Sequence, residues 1–444
     1  MNHTPTHKAT NIERRIKKHI HGRPQTFEID SPPGFLDLCE RLCSKLIAGI
    51  PVGDSTEIKI KKKNGRLQIE NAPFEMCHEL LLLGLPFADV KILVFRGRCS
   101  RDEKLQAILE AIDWELWIPS GRKITWDLRV DSSRSHLYNE SRIKEKVHTL
   151  LATKYKGHDA ASELDLGFDF RLERESLEVL MSLGGRNYWQ RGHKKILRHA
   201  APLREDIASC LVHRLSELHV EWTNIDNPSL VWNPFCGTGT FLHESALFLS
   251  KGGRTLSDTS NWTYRQLPFF KGASFQHREK KIRGSLTSCK ANSGTIVFLG
   301  EDKLPELANA TREGFKYMHE AVSLNQKVEA LCLDSTSPNN DESEVANHNC
   351  VWLLANPPFG MRLSNASQGG TEKVYAEFTK RIRSAAKTML NSNKHLSGVV
   401  LCASEENWLI LKKNLSGWRH RCEHFTLGGL DVRAFYFSST RDRN

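Results

Sequence analysis

Residues 230–240 read LVWNPFCGTGT, and residues 350–359 read CVWLLANPPF. Each is a short apolar run that breaks off into turn-forming residues, the pattern of a buried parallel strand. After the first run, Gly237 and Gly239 permit positive-φ backbone and close approach of a ligand to the main chain. A helix from about Phe241 follows, so its amide groups point back at the turn, and Thr238 and Thr240 are placed to cap it. No Gly-Lys-Ser/Thr follows, which excludes a phosphate-loop NTPase. After the second run, Pro357 and Pro358 fix an extended, rigid turn.

Outward from these two stretches the chain alternates strand and helix. A helix spans about 203–218, ahead of the first strand. Strands follow at 295–299, 328–333 and 397–403, with helices at 305–322, 374–390 and 407–415. Two last strands, at 424–427 and 431–437, are joined at Gly428-Gly429. This predicts an α/β fold over residues 205–444: a doubly wound parallel sheet closed by an antiparallel C-terminal hairpin. Residues 251–293 interrupt it as a polar, basic insertion with an aromatic cluster at Trp262, Phe269, Phe270 and Phe275.

Residues 27–185 have a different rhythm. A short strand, a turn at Pro32-Pro33-Gly34 and an amphipathic helix to about Ala48 come first, a hairpin turns at Asn64-Gly65, helices are expected near 72–83, 101–112 and 138–155, and strands at 90–95, 123–130, 166–172 and 176–182. That is α+β. Residues 1–26 hold one acid, Glu13, and read as a flexible basic tail. Residues 186–204 read as a basic linker: Arg186, Arg191, Lys194, Lys195 and Arg198 with no acid among them, and Tyr188 and Trp189 nearby. They suit either a track for phosphates or a solvated connection.

The chain has 444 residues and a formal net charge of +11, from 63 Lys+Arg against 52 Asp+Glu. A balance this basic points to polyanionic partners or to a lysine-rich surface. No apolar run reaches the ~18 residues of a membrane span, and the N-terminus has no apolar core of a secretory signal. The 11 cysteines include no CxxC pair, and Cys39 and Cys43 have no second pair at zinc spacing, so no metal is expected.

Three features fall at carboxyl ends of expected parallel strands, where open α/β sheets bind ligands. Beside the glycine turn, Asp302 can accept both hydroxyls of a ribose or can cap a helix. Asp334 can meet an adenine amino group or can be a loop acid. The third is Asn356-Pro357-Pro358-Phe359, which can be a structural turn. Its chemistry also suits an exocyclic amine, a poor nucleophile because its lone pair is delocalised into the ring. The Asn356 side-chain oxygen and the Pro357 carbonyl can each accept one amine hydrogen and turn the lone pair toward a methyl donor. Phe359 offers a stacking face for the base.

Taken together, NPFCGTGT, Asp302, Asp334 and NPPF resemble the S-adenosylmethionine-dependent methyltransferases of nucleobase amines. APLREDIA at residues 201–208, just after the basic stretch, and the insertion with Trp262, Leu267-Pro268-Phe269 and Phe275 narrow the resemblance. They look like the UPF0020-type RNA methylases that carry an N-terminal THUMP RNA-binding domain, most of all the bacterial large-subunit ribosomal RNA guanine-N2 methyltransferase. Residues 27–185, including Arg134 and Arg142, match the ferredoxin-like and THUMP parts loosely. The resemblance implies S-adenosylmethionine as cofactor, held by Asn233, Pro234, Cys236, Gly237, Gly239, Thr240, Asp302 and Asp334. It implies a target base held by Asn356, Pro357, Pro358 and Phe359. The family usually has Asp where this chain has Asn233, which keeps an oxygen acceptor but loses a charge that favours the cofactor's ammonium. Phe359 replaces a commoner Tyr and keeps the ring.

The expected reaction is methylation of a guanine exocyclic amine in RNA. Ribosomal RNA is the favoured substrate, transfer RNA or adenine N6 is the alternative, and a non-enzymatic RNA assembly factor with a weakened cofactor site is the rival prompted by Asn233. No membrane partner is expected. Oligomeric state stays open, and the cytoplasm is the expected compartment, with nucleus and organelles left open.

Overall fold

The computed structural model describes residues 7–50, 57–155, 163–185, 187–191, 203–251, 253, 259, 262–285, 290–291, 294–322, 327–337, 342–359, 369–390 and 394–440. Contacts divide the chain into two compact units. One comprises Met1–Ser31, Cys39–Trp189 and Asp258–Lys281; the other comprises Pro32–Leu38, Gln190–Ser257 and Ile282–Asn444.

The first unit is built on strands β1 (Gln25–Asp30), β2 (Lys59–Lys63), β3 (Arg66–Ala72), β4 (Asp89–Arg98), β5 (Lys123–Ser133), β6 (Glu163–Glu173) and β7 (Ser176–Ser182). They form one sheet in the order β2-β3-β1-β4-β7-β6-β5. Its neighbours are antiparallel except β5 and β6, a parallel pair that needs a crossover. Helix α5 (Glu140–Lys154) supplies it, after α1 (His7–Ile16), α2 (Leu36–Ala48), α3 (Met76–Leu82) and α4 (Asp102–Ala111). The side-chain period of two is plain in β1. Phe27 and Ile29 are buried in the apolar core, while Glu28 and Asp30 join a charged layer. There Lys91 reaches Asp30 at 2.5 Å and Asp169 at 2.7 Å, Gln68 donates to Glu28 at 3.0 Å, and Arg171 pairs with Glu28.

The N-terminal segment expected as a flexible basic tail is helical from His7 to His21. Ile16 and Ile20, one turn apart, are buried, and Arg15 pairs with Asp113 and Glu115. Two apolar residues at i and i+4 outweigh the surrounding basic charge. The aromatic insertion also lies elsewhere than its place in the chain suggests. Residues 258–281 cluster with the first unit, where Tyr264, Phe269 and Phe275 pack with Phe74 and His78. The second unit is therefore not the unbroken span 205–444, because these rings find their apolar surface on the first.

Helix α8 (Gly272–Gly284) belongs to the first unit up to Lys281. The second unit contains α6 (Glu205–Thr223), β8 (Leu230–Asn233), α7 (Thr240–Ser250), the short hairpin β9 (Lys290–Ala291) and β10 (Gly294–Thr295), β11 (Val297–Asp302), α9 (Pro305–Val322), β12 (Lys327–Cys332), α10 (Ser343–Ala346), β13 (Cys350–Ala355), α11 (Gly369–Leu390), β14 (His395–Cys402), α12 (Glu405–Asn414), β15 (Arg419–Leu427) and β16 (Leu430–Ser438). Its main sheet runs β12-β11-β8-β13-β14-β16-β15. The first five strands are parallel, and β16 is antiparallel to both its neighbours. This is the α/β sheet with an antiparallel C-terminal hairpin expected from the sequence. The order reverses between β8 and β13. An open sheet places its ligand crevice at such a reversal, outside the carboxyl ends of the strands.

Candidate active site

Four of the residues singled out in the sequence stand at the carboxyl ends of four adjacent strands. Asn233 ends β8, Asp302 ends β11, Asp334 lies just beyond β12, and Asn356 follows β13. Parallel pairing brings them to one edge, and β8 and β13 flank the reversal.

The glycine turn has an open side and a closed side. Gly237 has φ +53°, and a Cβ there would meet nothing within 4 Å. Gly239 has φ +80°, and a Cβ there would lie 2.9 Å from both His243 and Thr311. The turn therefore packs tightly on its helix side and leaves room for a ligand on the other. Helix α7 begins with Gly239 as its cap residue and no side-chain cap. The expected capping by Thr238 or Thr240 does not occur, since Thr240 is already helical and Thr238 is buried. An uncapped N-terminus without an acid in its first turn suits an anionic group on a ligand.

Asp302 braces the turn while presenting its carboxylate. Its Oδ2 accepts from the Gly237 N–H and its Oδ1 from the Leu304 N–H, both at 3.0 Å. Each oxygen has a further acceptor site, which fits a pair of ribose hydroxyls. Asp334 is exposed, and its Oδ1 accepts from the Thr336 N–H at 2.9 Å and the Thr336 hydroxyl at 2.7 Å. Those hydrogen bonds lower its pKa below the usual carboxylate value. Cys236 is buried, which pushes its thiol up to about 12, and its N–H donates to Glu301 O at 2.8 Å. It is a neutral packing residue in the turn.

Asn233 is 1% exposed. With its amide oriented to satisfy both ends, Nδ2 donates to Leu354 O at 2.8 Å and Phe235 O at 3.2 Å. The β8–β13 ladder ends at Trp232–Leu353, and the Asn233 amide extends it by one bond toward Asn356. In this orientation both partners are carbonyls and the amide acts as a donor, in preference to accepting from the Phe235 N–H at 3.3 Å. Asn233→Asp is expected to turn a carboxylate against two carbonyl oxygens and destabilise the fold by ~1–3 kcal/mol. Thermal unfolding checks this; a melting temperature equal to wild type would refute it.

Asn356 is half-buried, Pro357 buried, Pro358 exposed and Phe359 half-buried. Asn356 Oδ1 is a buried acceptor without a hydrogen-bond partner among the described residues. An orphaned buried acceptor is costly, and it fits a site completed by a ligand's N–H.

Several supporting residues carry no local motif. Thr311, buried in α9, donates to Gly237 O at 3.1 Å. Its signal was a single hydroxyl in the otherwise apolar stripe Ala308, Thr311, Phe315, Met318. Gly300 lies against the turn, where a Cβ would come within 2.9 Å of Leu242 and 3.2 Å of Cys236. Glu301 is 3% exposed and faces the other way from Asp302. It takes a two-pronged ion pair from Arg381 (2.6 and 3.0 Å), which also reaches Glu342 at 2.5 Å and lies over the Trp232 ring at 4.8 Å. The Ser335 hydroxyl donates to Pro234 O and, at 3.2 Å, to Glu301.

Arg191, expected on an RNA track, is 1% exposed. Its guanidinium is 3.4 Å from Glu244 of α7, and its backbone N–H donates to the Glu205 carboxylate. It is an internal ion pair of the second unit. Arg186, Lys194, Lys195 and Arg198 lie outside the described residues.

Residues 192–401 match the family described as UPF0020, RMKL-like, methyltransferase domain. Over this stretch the chain is similar to a UPF0020 methyltransferase domain. The Ribosomal RNA large subunit methyltransferase K/L of Shewanella frigidimarina is 23% identical over 311 residues, 67% of this chain and 40% of that protein. The chain thus spans about 40% of the length of this relative. Among solved structures, a "possible methylase" from Clostridium difficile 630 gives a TM-score of 0.68 at 16% identity, covering 95% of this chain and 100% of that one. The SMU.472 protein complexed with SAH gives 0.67 at 17% identity, covering 94% and 98%. At such identities the likeness shows the fold, and it extends beyond the UPF0020 domain into the first unit.

Proposed function

We propose that the protein is an RNA methyltransferase that uses S-adenosylmethionine to methylate the exocyclic amine of a guanine in ribosomal RNA. The observation that carries this reading is the unpartnered Asn356 oxygen at the sheet reversal, one strand from the open glycine turn. When bound, the cofactor supplies an electrophilic methyl group. Gly237, Gly239 and the start of α7 would hold its amino-acid part, Asp302 its ribose hydroxyls and Asp334 its adenine end. Pro234 and Cys236 support the turn from below, and Asn233 ties that turn to the strand carrying the target-base residues.

Asn356 Oδ1 and the Pro357 carbonyl would accept the two hydrogens of the amine. This draws the nitrogen out of conjugation and aims its lone pair. Phe359 would stack on the base, which in a duplex must first leave its helix. The amine proton becomes acidic once the nitrogen carries the methyl group, so no strong base is required beforehand. Positioning supplies most of the rate. The ribosomal substrate is favoured by the curated relatives the chain matches, and the first unit is the proposed RNA-binding region.

Calorimetry with S-adenosylhomocysteine and a tritiated-methyl assay on RNA from a strain lacking the protein test this together. Binding that Asp302→Ala weakens by about tenfold or more, as expected for a lost hydrogen bond to a charged group, with N2-methylguanosine found by nucleoside mass spectrometry, supports it. N6-methyladenosine instead would move the target to adenine, and absence of both binding and incorporation would refute the reading.

A further inference from the structure

Many basic side chains of the first unit are paired internally. Lys61 reaches Glu70 at 2.5 Å, Lys62 Glu40 at 2.6 Å, and Lys63 and Arg96 both meet Glu178 at 2.9 Å. One end of its sheet is different. Arg98, Arg101, Arg134 and Arg174 are exposed there, and none has an ion-pair partner among the described residues. Beside them Tyr138 is 80% exposed, far above any other exposed large hydrophobic side chain described.

Backbone pairing brings these five residues to the same end of the sheet. Arg98 pairs with Ser176 across β4 and β7, and the next residue, Cys99, donates its N–H to Glu175 O at 2.7 Å. The Arg174 N–H reaches Ser133 O at 3.4 Å, and the His136 N–H donates to Glu175 Oε1 at 3.0 Å. The β6–β7 turn is thus tied to the end of β4 on one side and to the loop carrying Arg134 and Tyr138 on the other. Arg134 and Arg174 hold left-handed backbone, φ +51° and +46°, where glycine or asparagine is the unstrained choice; here the turns carry charge instead.

Three acids near this end have partners: Glu175 accepts from the His136 backbone, Glu140 from the Ser132 N–H at 2.9 Å, and Asp102 is held by Arg142 at 3.3 Å and Lys146 at 2.5 Å. Glu103 and Glu140 are themselves exposed, but four unpaired guanidinium groups around an unpartnered aromatic face outnumber them. Arginine suits phosphate oxygens, and an exposed ring suits the face of an unstacked base. A duplex hides those faces, and an acidic peptide would leave the ring unused.

We propose that this end of the first unit is a docking surface for single-stranded RNA, with a base stacked on Tyr138 and the flanking phosphates on Arg98, Arg101, Arg134 and Arg174. The inference rests on RNA as the substrate class and adds where an unpaired segment is gripped. The test is fluorescence anisotropy of the full chain with a short fluorescein-labelled oligouridine and with an RNA duplex of equal length. Tyr138→Ala is expected to weaken oligouridine binding roughly 5- to 100-fold, with little effect on the duplex, while Tyr138→Phe stays within about twofold. Arg134→Glu with Arg174→Glu is expected to reduce the slope of log affinity against log salt by about one.

Unchanged oligouridine binding in Tyr138→Ala, an equal loss on duplex, or an unchanged salt slope in the double reversal would each overturn the proposal. An acidic protein as the true partner gives the first of these results. All variants should bind S-adenosylhomocysteine as wild type does. A wild type that binds oligouridine through Tyr138 but not S-adenosylhomocysteine would sink the methyltransferase reading and leave this surface standing.

Discussion

Asn356→Ala is expected to cut methyl transfer by about 10²-fold or more while leaving S-adenosylhomocysteine affinity within about twofold. Asn356 Oδ1 is buried and has no donor among the described residues, yet it sits where the sheet reverses, at the carboxyl end of β13. A native interior satisfies such an atom unless something else does so at the moment of function. An amine hydrogen of the target base is the donor the chemistry asks for. Removing the oxygen leaves the fold intact and even relieves a desolvated acceptor, so melting temperature should hold or rise. Asn356→Asp keeps an acceptor and should retain more turnover than Asn356→Ala. Equal turnover in wild type and Asn356→Ala would refute the assigned role, and a large fall in cofactor affinity would move the residue to the cofactor side of the site.

The sequence was most legible where local pattern and chemistry coincide. The two apolar runs ending in NPFCGTGT and NPPF are strands because they are short, continuous and stopped by glycine or proline. Their pairing at the reversal follows from strand order. Asp302 was recognisable by its place at a strand end. Its neighbour Glu301 was not separable from it by composition; the period of two sends one carboxylate to the ligand edge and the other beneath the sheet. Thr311, Gly300 and Arg381 act through tertiary contact with distant segments, which no local motif records. The tail and the insertion were misread for one reason. Basic and polar composition concealed a few well-spaced apolar residues, Ile16 and Ile20 in the tail, and the rings of Tyr264, Phe269 and Phe275 in the insertion. Charge was likewise legible as a total and not as a map. Arg191 is an internal ion pair, whereas the arginines around Tyr138 are unpaired and outward.

Asn233 shows how one departure from a family pattern changes meaning in place. As a sequence difference it suggests a lost charge and a weakened cofactor site. In the fold its amide donates to Leu354 O and Phe235 O, so it links the strand that ends in the glycine turn with the strand that leads to Asn356. The motive for the non-enzymatic reading was the missing charge, and the geometry gives the amide a positive reason to be there.

The largest stability effect is expected at Arg381, which touches none of the proposed ligand positions. Arg381 is 7% exposed, and its guanidinium holds Glu301 with two bonds and Glu342 with a third, over the face of Trp232. Replacing it by methionine keeps much of the volume and strands two carboxylates in the interior. Breaking such a network from one side costs ~3–5 kcal/mol, or roughly 10 °C in melting temperature for a unit of this size. Adding Glu301→Gln and Glu342→Gln to Arg381→Met removes the buried charge and should recover most of the loss, since a neutral buried cluster is close to neutral in stability. The rescued variant also tests coupling to the site. Glu301 shares the Ser335 hydroxyl with Pro234 O, and Cys236 donates to the Glu301 backbone. If the ion pairs only hold the sheet and α11 together, the triple variant should bind S-adenosylhomocysteine like wild type. If they also fix the glycine turn, stability returns and affinity does not. An Arg381→Met protein as stable as wild type at pH 8 would overturn the argument at its first step.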